Sequence, residues 1–250
     1  MDIRSLMKNV IILGAGRTGS SLLAGLIAHN RYYINAEKIA ARKAYPDGDY
    51  ENPDLVDLNQ KILLDSGYGY SKVMAHKPVD IAAIEQLALN TRDDVYADFL
   101  KQCEENRPWL WKDPRLCYTI YFWNSFLDLN DIQFIKITRD PYLVFRSHSK
   151  FQIKDTKKNI ITNYYKQNDA VDAYLKKHGI KALTVDYSEM KNQNVFKKLN
   201  DYLQTDISPD DYRAIKKENI SKKEPDYKFM LRYMLGSGVL KLQNFIRRSR

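Results

Sequence analysis

Val10-Ile11-Ile12-Leu13 runs directly into Gly14-Ala15-Gly16-Arg17-Thr18-Gly19, and Ser20-Ser21-Leu22-Leu23 follows at helical spacing. A short branched run, a glycine-rich turn and small hydroxyl residues ahead of an apolar periodic segment read as strand, tight turn and helix N-terminus. The first N–H groups of such a helix have no partner within it, and its dipole is positive at that end, so the turn is suited to an anion. Arg17 is the strong cation inside the turn. A second apolar strand, Ile132 to Thr138, ends in Arg139-Asp140-Pro141, with Ser147 eight residues after the arginine. Two anion-binding segments at two strand ends imply a ligand that carries phosphate at two positions.

The rest of the chain alternates in the same manner. Ser20 to His29 is expected as a helix, capped by Ser20 or Thr18, and Leu55 to Leu64, Val79 to Leu89 and Val95 to Cys103 as three more. Trp109 to Lys112 is a short apolar segment entering Asp113-Pro114, and Tyr118 to Leu127 reads as an amphipathic helix. Helical spacing returns at Leu143 to Phe151, Asn159 to Lys177, Phe196 to Leu203 and Tyr227 to Ile246, with a last strand at Lys181 to Val185. Strands alternating with helices predict an α/β protein, a three-layer P-loop-like fold with a mainly parallel central sheet. Residues 1–250 are expected to form a single domain. Residues 31–54, polar and broken by Pro46, Gly48 and Pro53, form a probable insertion at a substrate rim, and the C-terminal end is helix-rich.

Composition narrows the partners without choosing one. Forty basic and thirty-one acidic residues give a net charge of +9, which favours polyanions of every kind. No apolar run approaches the roughly 18–20 residues of a membrane span, and no hydrophobic leader precedes the first strand, so a cytoplasmic location is expected. Cys103 and Cys117 offer neither a disulfide framework nor zinc-ligand spacing, and the four histidines, including His76 and His148, show no metal pattern. No metal is expected.

Two familiar phosphate loops fit poorly. Gly14, Gly16 and Gly19 match the dinucleotide fingerprint G-x-G-x-x-G, but Glu37, near the ribose-binding distance, lies in a polar stretch without a preceding second strand. Gly14 and Gly19 have the outer spacing of a Walker loop, yet Ser20 stands where the phosphate-binding lysine belongs.

Gly16-Arg17-Thr18-Gly19-Ser20-Ser21-Leu22-Leu23, Trp111-Lys112-Asp113-Pro114-Arg115 and Ile135-Lys136-Ile137-Thr138-Arg139-Asp140-Pro141 with Arg146-Ser147 together resemble the three signature segments of nucleotide-dependent sulfotransferases, especially the bacterial branch. Tyr45 to Glu51 and Val185 to Met190 are similar to weaker signatures, so the resemblance spans most of residues 8–203. It implies 3′-phosphoadenosine-5′-phosphosulfate as donor cosubstrate and an acceptor hydroxyl, carbohydrate included, as sulfuryl recipient. Gly16, Arg17, Thr18, Gly19, Ser20 and Ser21 would hold the 5′ end, and Arg139 with Ser147 the 3′-phosphate. Arg17 and Lys112 would meet charge at the reacting centre. The resemblance offers Glu37 as general base, since relatives place a glutamate after the first helix. They carry a double glutamate where this chain has Ala36-Glu37, and Glu51 is the alternative.

Several residues have simpler readings. Tyr164-Tyr165-Lys166 suits either an aromatic platform or helix packing, Trp109, Trp111 and Trp123 suit a core, and Asp113 suits loop organisation, with Arg115 pairing to it or to a substrate anion. The basic C-terminus, with Met230, Met234, Leu235 and Leu242 nearby, allows weak contact with a membrane surface. The alternative class is a P-loop-like nucleotide- or nucleic-acid-binding protein without transferase activity, although no nucleic-acid recognition motif is present. Oligomeric state is open.

Overall fold

The computed structural model describes residues 7–35, 37, 50–68, 79–149 and 156–218. The expected C-terminal helix from Tyr227 to Ile246, most of the 31–54 segment and His76 lie outside them. Within them the chain is an α/β fold whose central sheet is entirely parallel.

Strand β1 (Asn9–Leu13) leads through the glycine turn into α1 (Ser20–His29). Helices α2 (Pro53–Asp65), α3 (Ile81–Asn90) and α4 (Asp94–Glu105) precede β2 (Leu110–Lys112) and α5 (Leu116–Trp123). Then come β3 (Ile132–Thr138), α6 (Pro141–Ser149), α7 (Lys157–Lys177), β4 (Leu183–Asp186), α8 (Gln193–Leu203) and α9 (Pro209–Glu218). The strand order is β2-β1-β3-β4. The chain leaves β1 toward β2 on one side, while β3 flanks β1 on the other. A crevice at the carboxyl ends of β1 and β3 is where open parallel sheets bind ligands.

Register sorts the side chains into two cores. Ile11 pairs with Trp111 and Phe134, and these three face a core built with α2, α3, α4, α5 and α7. Val10 and Ile12 pair with Leu110 and Ile135 and face α1, α8 and α9. Side chains alternate along a strand, so a sheet covered on both faces needs the near-continuous apolar runs seen in β1 and β3. Trp109, just ahead of β2, and Trp111 within it stack at 4.6 Å, and Trp123 meets Trp111 edge-on at 5.0 Å. All three are core residues.

Two local expectations need correction. The segment from Tyr118 to Leu127 is not amphipathic: the helix runs from Leu116 to Trp123, and all eight of its residues are buried. It is enclosed by the sheet, α2, α3 and α7, which demands apolar residues all round. Neither Ser20 nor Thr18 caps α1. Gly19 occupies the cap position in a left-handed conformation, and the Thr18 hydroxyl donates instead to the carbonyl of Ala15 at 2.7 Å.

Candidate functional site

The glycine turn is shaped by what presses on it. A Cβ at Gly14 would stand 2.6 Å from the carbonyl oxygen of Ile137, so the turn lies directly on the end of β3. Gly16 rests against Pro114, and its N–H donates to Oε1 of the buried Gln167 of α7 at 3.3 Å. Gly19 has φ of 95° and the Tyr187 ring occupies the space a side chain would need. Both features require glycine. Arg17 also has positive φ, 67°, a conformation costly for a residue with a Cβ, and strain of that kind concentrates at functional turns.

Arg139, at the carboxyl end of β3, reaches across to the turn. Its Nη1 donates to the Arg17 carbonyl at 3.0 Å, and its guanidinium lies over the Tyr187 ring at 4.1 Å. Arg17 Nε donates to Ser147 Oγ of α6 at 3.3 Å. The turn and the second basic segment, about 120 residues apart in sequence, therefore form one continuous cluster joined by Arg17. Arg139 Nε is buried and has no hydrogen-bond partner among the described residues. Burial pulls the guanidinium below its ordinary pKa, countered by the charges of Tyr187, Asp140 and Asp186. A buried donor of this kind lacks the acceptor that a phosphate oxygen would supply.

Lys112 closes the other side of the turn. It ends β2 opposite Ile12 in register, hence on the α1 face. Its Nζ donates to Ser21 Oγ at 3.0 Å and meets Glu51 Oε1 at 2.6 Å. Lys112 is 3% exposed and Glu51 16%. Glu51 stands immediately before Asn52, which caps α2 by accepting from the Asp54 N–H at 3.0 Å. Ser20, also buried, and Ser21 open α1, where the N–H groups have no acceptor within the helix.

The structure thus brings Gly16, Arg17, Thr18, Gly19, Ser20, Ser21, Lys112, Arg139, Ser147 and Glu51 to the carboxyl ends of β1, β2 and β3. Glu51, not Glu37, meets Lys112. Glu37 is exposed, and its charge acts on Tyr33, whose hydroxyl pKa is raised chiefly by burial and then by Cys103, Asp54 and Glu37. Asp113 pairs with Arg115 at 3.0 Å, as one of the two readings of that arginine had it. Tyr164 is buried and its hydroxyl accepts from the Arg139 N–H at 3.4 Å, whereas Tyr165 is exposed. Among the described residues no group of three or more His, Cys, Asp or Glu side chains could hold a metal ion. No helix among them is long and apolar enough to cross a membrane.

Gln167 and Asn59 went unread in the sequence, although both left a signal. Gln167 falls on the buried stripe of α7 formed by Ile160, Tyr164, Val171 and Tyr174. Asn59 falls on that of α2, beside Leu55, Leu58, Ile62 and Leu63. A polar residue on an apolar stripe needs a buried partner.

Solved structures similar to this chain include three sulfotransferases. The sulfotransferase domain from the curacin biosynthetic pathway shares 16% identity, over 82% of this chain and 76% of that one, with a TM-score of 0.48. The sulfotransferase domain from the Synechococcus PCC 7002 olefin synthase shares 14%, over 93% and 94%, with a TM-score of 0.49. Sulfotransferase STF9 from Mycobacterium avium shares 12%, over 88% and 69%, with a TM-score of 0.47. No family model and no curated protein matches the chain.

Proposed function

We propose that this chain transfers a sulfuryl group from 3′-phosphoadenosine-5′-phosphosulfate to an acceptor hydroxyl, with glycans the first acceptor class to test. The observation that carries the proposal is the flanking of one glycine turn by two different groups. Arg139 and Ser147 stand on one side, and the buried Lys112–Glu51 pair on the other. One flank suits a phosphate; the other suits reacting atoms. The motif resemblance of all three segments supports the same donor.

The bound donor supplies an activated sulfate whose S–O bond to the 5′-phosphate breaks as the acceptor O–S bond forms. Backbone N–H groups from Arg17 to Ser21 and the Ser20 and Ser21 hydroxyls hold the 5′-phosphate end, with Gly16 letting the turn pass close to it. Arg139 and Ser147 hold the 3′-phosphate, and the orphaned Arg139 Nε gains an acceptor. Arg17 and Lys112 meet the negative charge that grows on the leaving oxygen, a stabilisation realised mainly in the transition state. Glu51 accepts the proton of the acceptor hydroxyl. Its contact with Lys112 favours it over Glu37 for this role.

The protein incubated with donor and a panel of sugar, phenol, lipid and peptide hydroxyls is expected to release adenosine 3′,5′-bisphosphate together with one sulfated product. Glu51→Gln is expected to lower kcat by about 10²–10⁴-fold, the usual contribution of a general base, and Glu37→Gln to leave kcat near the wild-type value. Donor binding without product across the panel, or ATP binding as tight as that of the sulfated donor, would instead identify a nucleotide-binding protein.

A further inference from the structure

Beside the Lys112–Glu51 pair lies a buried polar cluster to which the proposed transfer assigns no role. Asn59, in the middle of α2, is fully buried. Its Nδ2 donates to Asp113 Oδ2 at 2.9 Å, and its Oδ1 accepts from Thr119 Oγ1 at 2.7 Å and Trp123 Nε1 at 2.8 Å. Indole nitrogen only donates, so the amide has one orientation. Asp113 Oδ1 in turn accepts from the Arg115 N–H at 2.9 Å and from its Nη1 at 3.0 Å. An apolar residue would simply extend the Leu55, Leu58 and Ile62 stripe, and burying an amide there is unfavourable unless each partner is met.

What the cluster joins gives it a use. Lys112 and Asp113 are consecutive, so they leave the strand end toward opposite sides. The segment carrying Glu51 and α2 touches both. Glu51 meets Lys112 on the α1 side, and Asn59, eight residues further on, meets Asp113 on the other. Two ties on opposite sides of one strand end oppose sliding and rotation of that segment against β2. We infer that Asn59 is a positioning residue for the transfer: through Asp113 it fixes the reach of Lys112 and its separation from Glu51. The inference rests on the reading of Lys112 and Glu51 as the groups that meet the reacting atoms.

Asn59→Asp perturbs the tie, because it keeps the shape and the acceptor for Thr119 and Trp123 but replaces the amide donor toward Asp113 with a carboxyl, which can donate only by taking up a proton. Adding Asp113→Asn restores the bond with its polarity reversed. N59D is expected to lower kcat about 10–100-fold at saturating donor, the scale of a small misplacement of reacting groups. The donor KM and the Kd for adenosine 3′,5′-bisphosphate are expected to stay within roughly twofold, since a loss confined to the transition state leaves ground-state binding intact. The double variant is expected to recover most of the lost kcat.

Acylation of Lys112, followed by peptide mass spectrometry, reads the same tie without turnover. Its rate is expected to rise several-fold in N59D and to return in the double variant. Wild-type kcat and labelling in folded N59D would overturn the inference, as would equal losses in kcat and bisphosphate affinity that the swap does not repair. If the wild-type protein turns over no acceptor, the transferase reading fails. Labelling then decides the tie alone: an unchanged rate refutes it, and a raised rate restored by the swap supports it. If N59D does not fold, Asn59→Ser, which falls short of Asp113, is judged by the same two measurements.

Discussion

Arg139 concentrates the electrostatics beside the glycine turn in one side chain. It donates to the backbone of the turn, lies over an aromatic ring, and retains a buried donor without an acceptor. On the proposed reading, loss of the side chain removes a phosphate contact, and it also loosens Arg17, whose carbonyl it holds. Arg139→Ala is therefore expected to weaken adenosine 3′,5′-bisphosphate by about 2 kcal/mol, in the range for charge-assisted hydrogen bonds. Adenosine 5′-phosphate, which lacks the second phosphate, should lose far less. Calorimetric titration of both nucleotides checks this, and equal losses would remove Arg139 from the 3′-phosphate site. Lys112 is a different case, a buried cation balanced by Glu51 and a hydroxyl. Removing one partner of such a pair leaves the other uncompensated.

At the level of elements, the site is made by strand ends that hold one another. Asp186 ends β4, and its carboxylate accepts from the Ser188 N–H at 2.8 Å, the Ser188 hydroxyl at 2.6 Å and the Thr138 hydroxyl at 3.1 Å. Burial raises its pKa, but these hydrogen bonds and the charge of Arg139 outweigh that and hold it below the ordinary value. A carboxyl depressed in the folded state contributes stability that is fully present above about pH 4 and is lost as pH falls through the lower folded value. Asp186→Asn is expected to lower Tm at neutral pH and to flatten the decline of Tm as pH falls below about 4. Parallel melting curves over that range check it. The turn itself offers a paired comparison. Gly19→Ala, at φ of 95° against Tyr187, is expected to cost about 1–3 kcal/mol, visible as a lowered Tm. Gly16→Ala meets Pro114 only at 3.8 Å, an ordinary contact, and is expected to change Tm much less.

For the whole molecule, the crevice at the carboxyl ends of the sheet joins parts of both cores. The turn lies on β3 and is contacted by α7 through Gln167 and by the segment after β4 through Tyr187. A ligand seated there binds only when both layers are assembled, so it stabilises the entire fold by mass action. At a concentration of one hundred times its Kd, adenosine 3′,5′-bisphosphate is expected to add about 2.7 kcal/mol to the unfolding free energy. Adenosine 5′-phosphate at the same concentration should add less. Thermal melting with each nucleotide measures the difference, and identical shifts would deny the second phosphate any role.

Much of this arrangement is legible in residues that answer to their neighbours in sequence. The runs at β1 and β3, the glycine turn, and the helix from Ser20 to His29 follow from periodicity and backbone freedom, which are local properties. The basic residues flanking the turn are legible for the same reason, since each sits where a strand ends. The resemblance put Glu37 ahead of Glu51 as general base, and nothing in the sequence says that Glu51 meets Lys112, because both glutamates lie in a segment without periodicity. Only the approach of α2 to β2 brings Glu51 into contact. The all-round burial of α5, the cap at Gly19, and the partners of Asn59 and Gln167 were likewise decided by tertiary structure. Each depends on a group brought in from far along the chain, and no local pattern encodes a contact whose two halves meet only when the layers close.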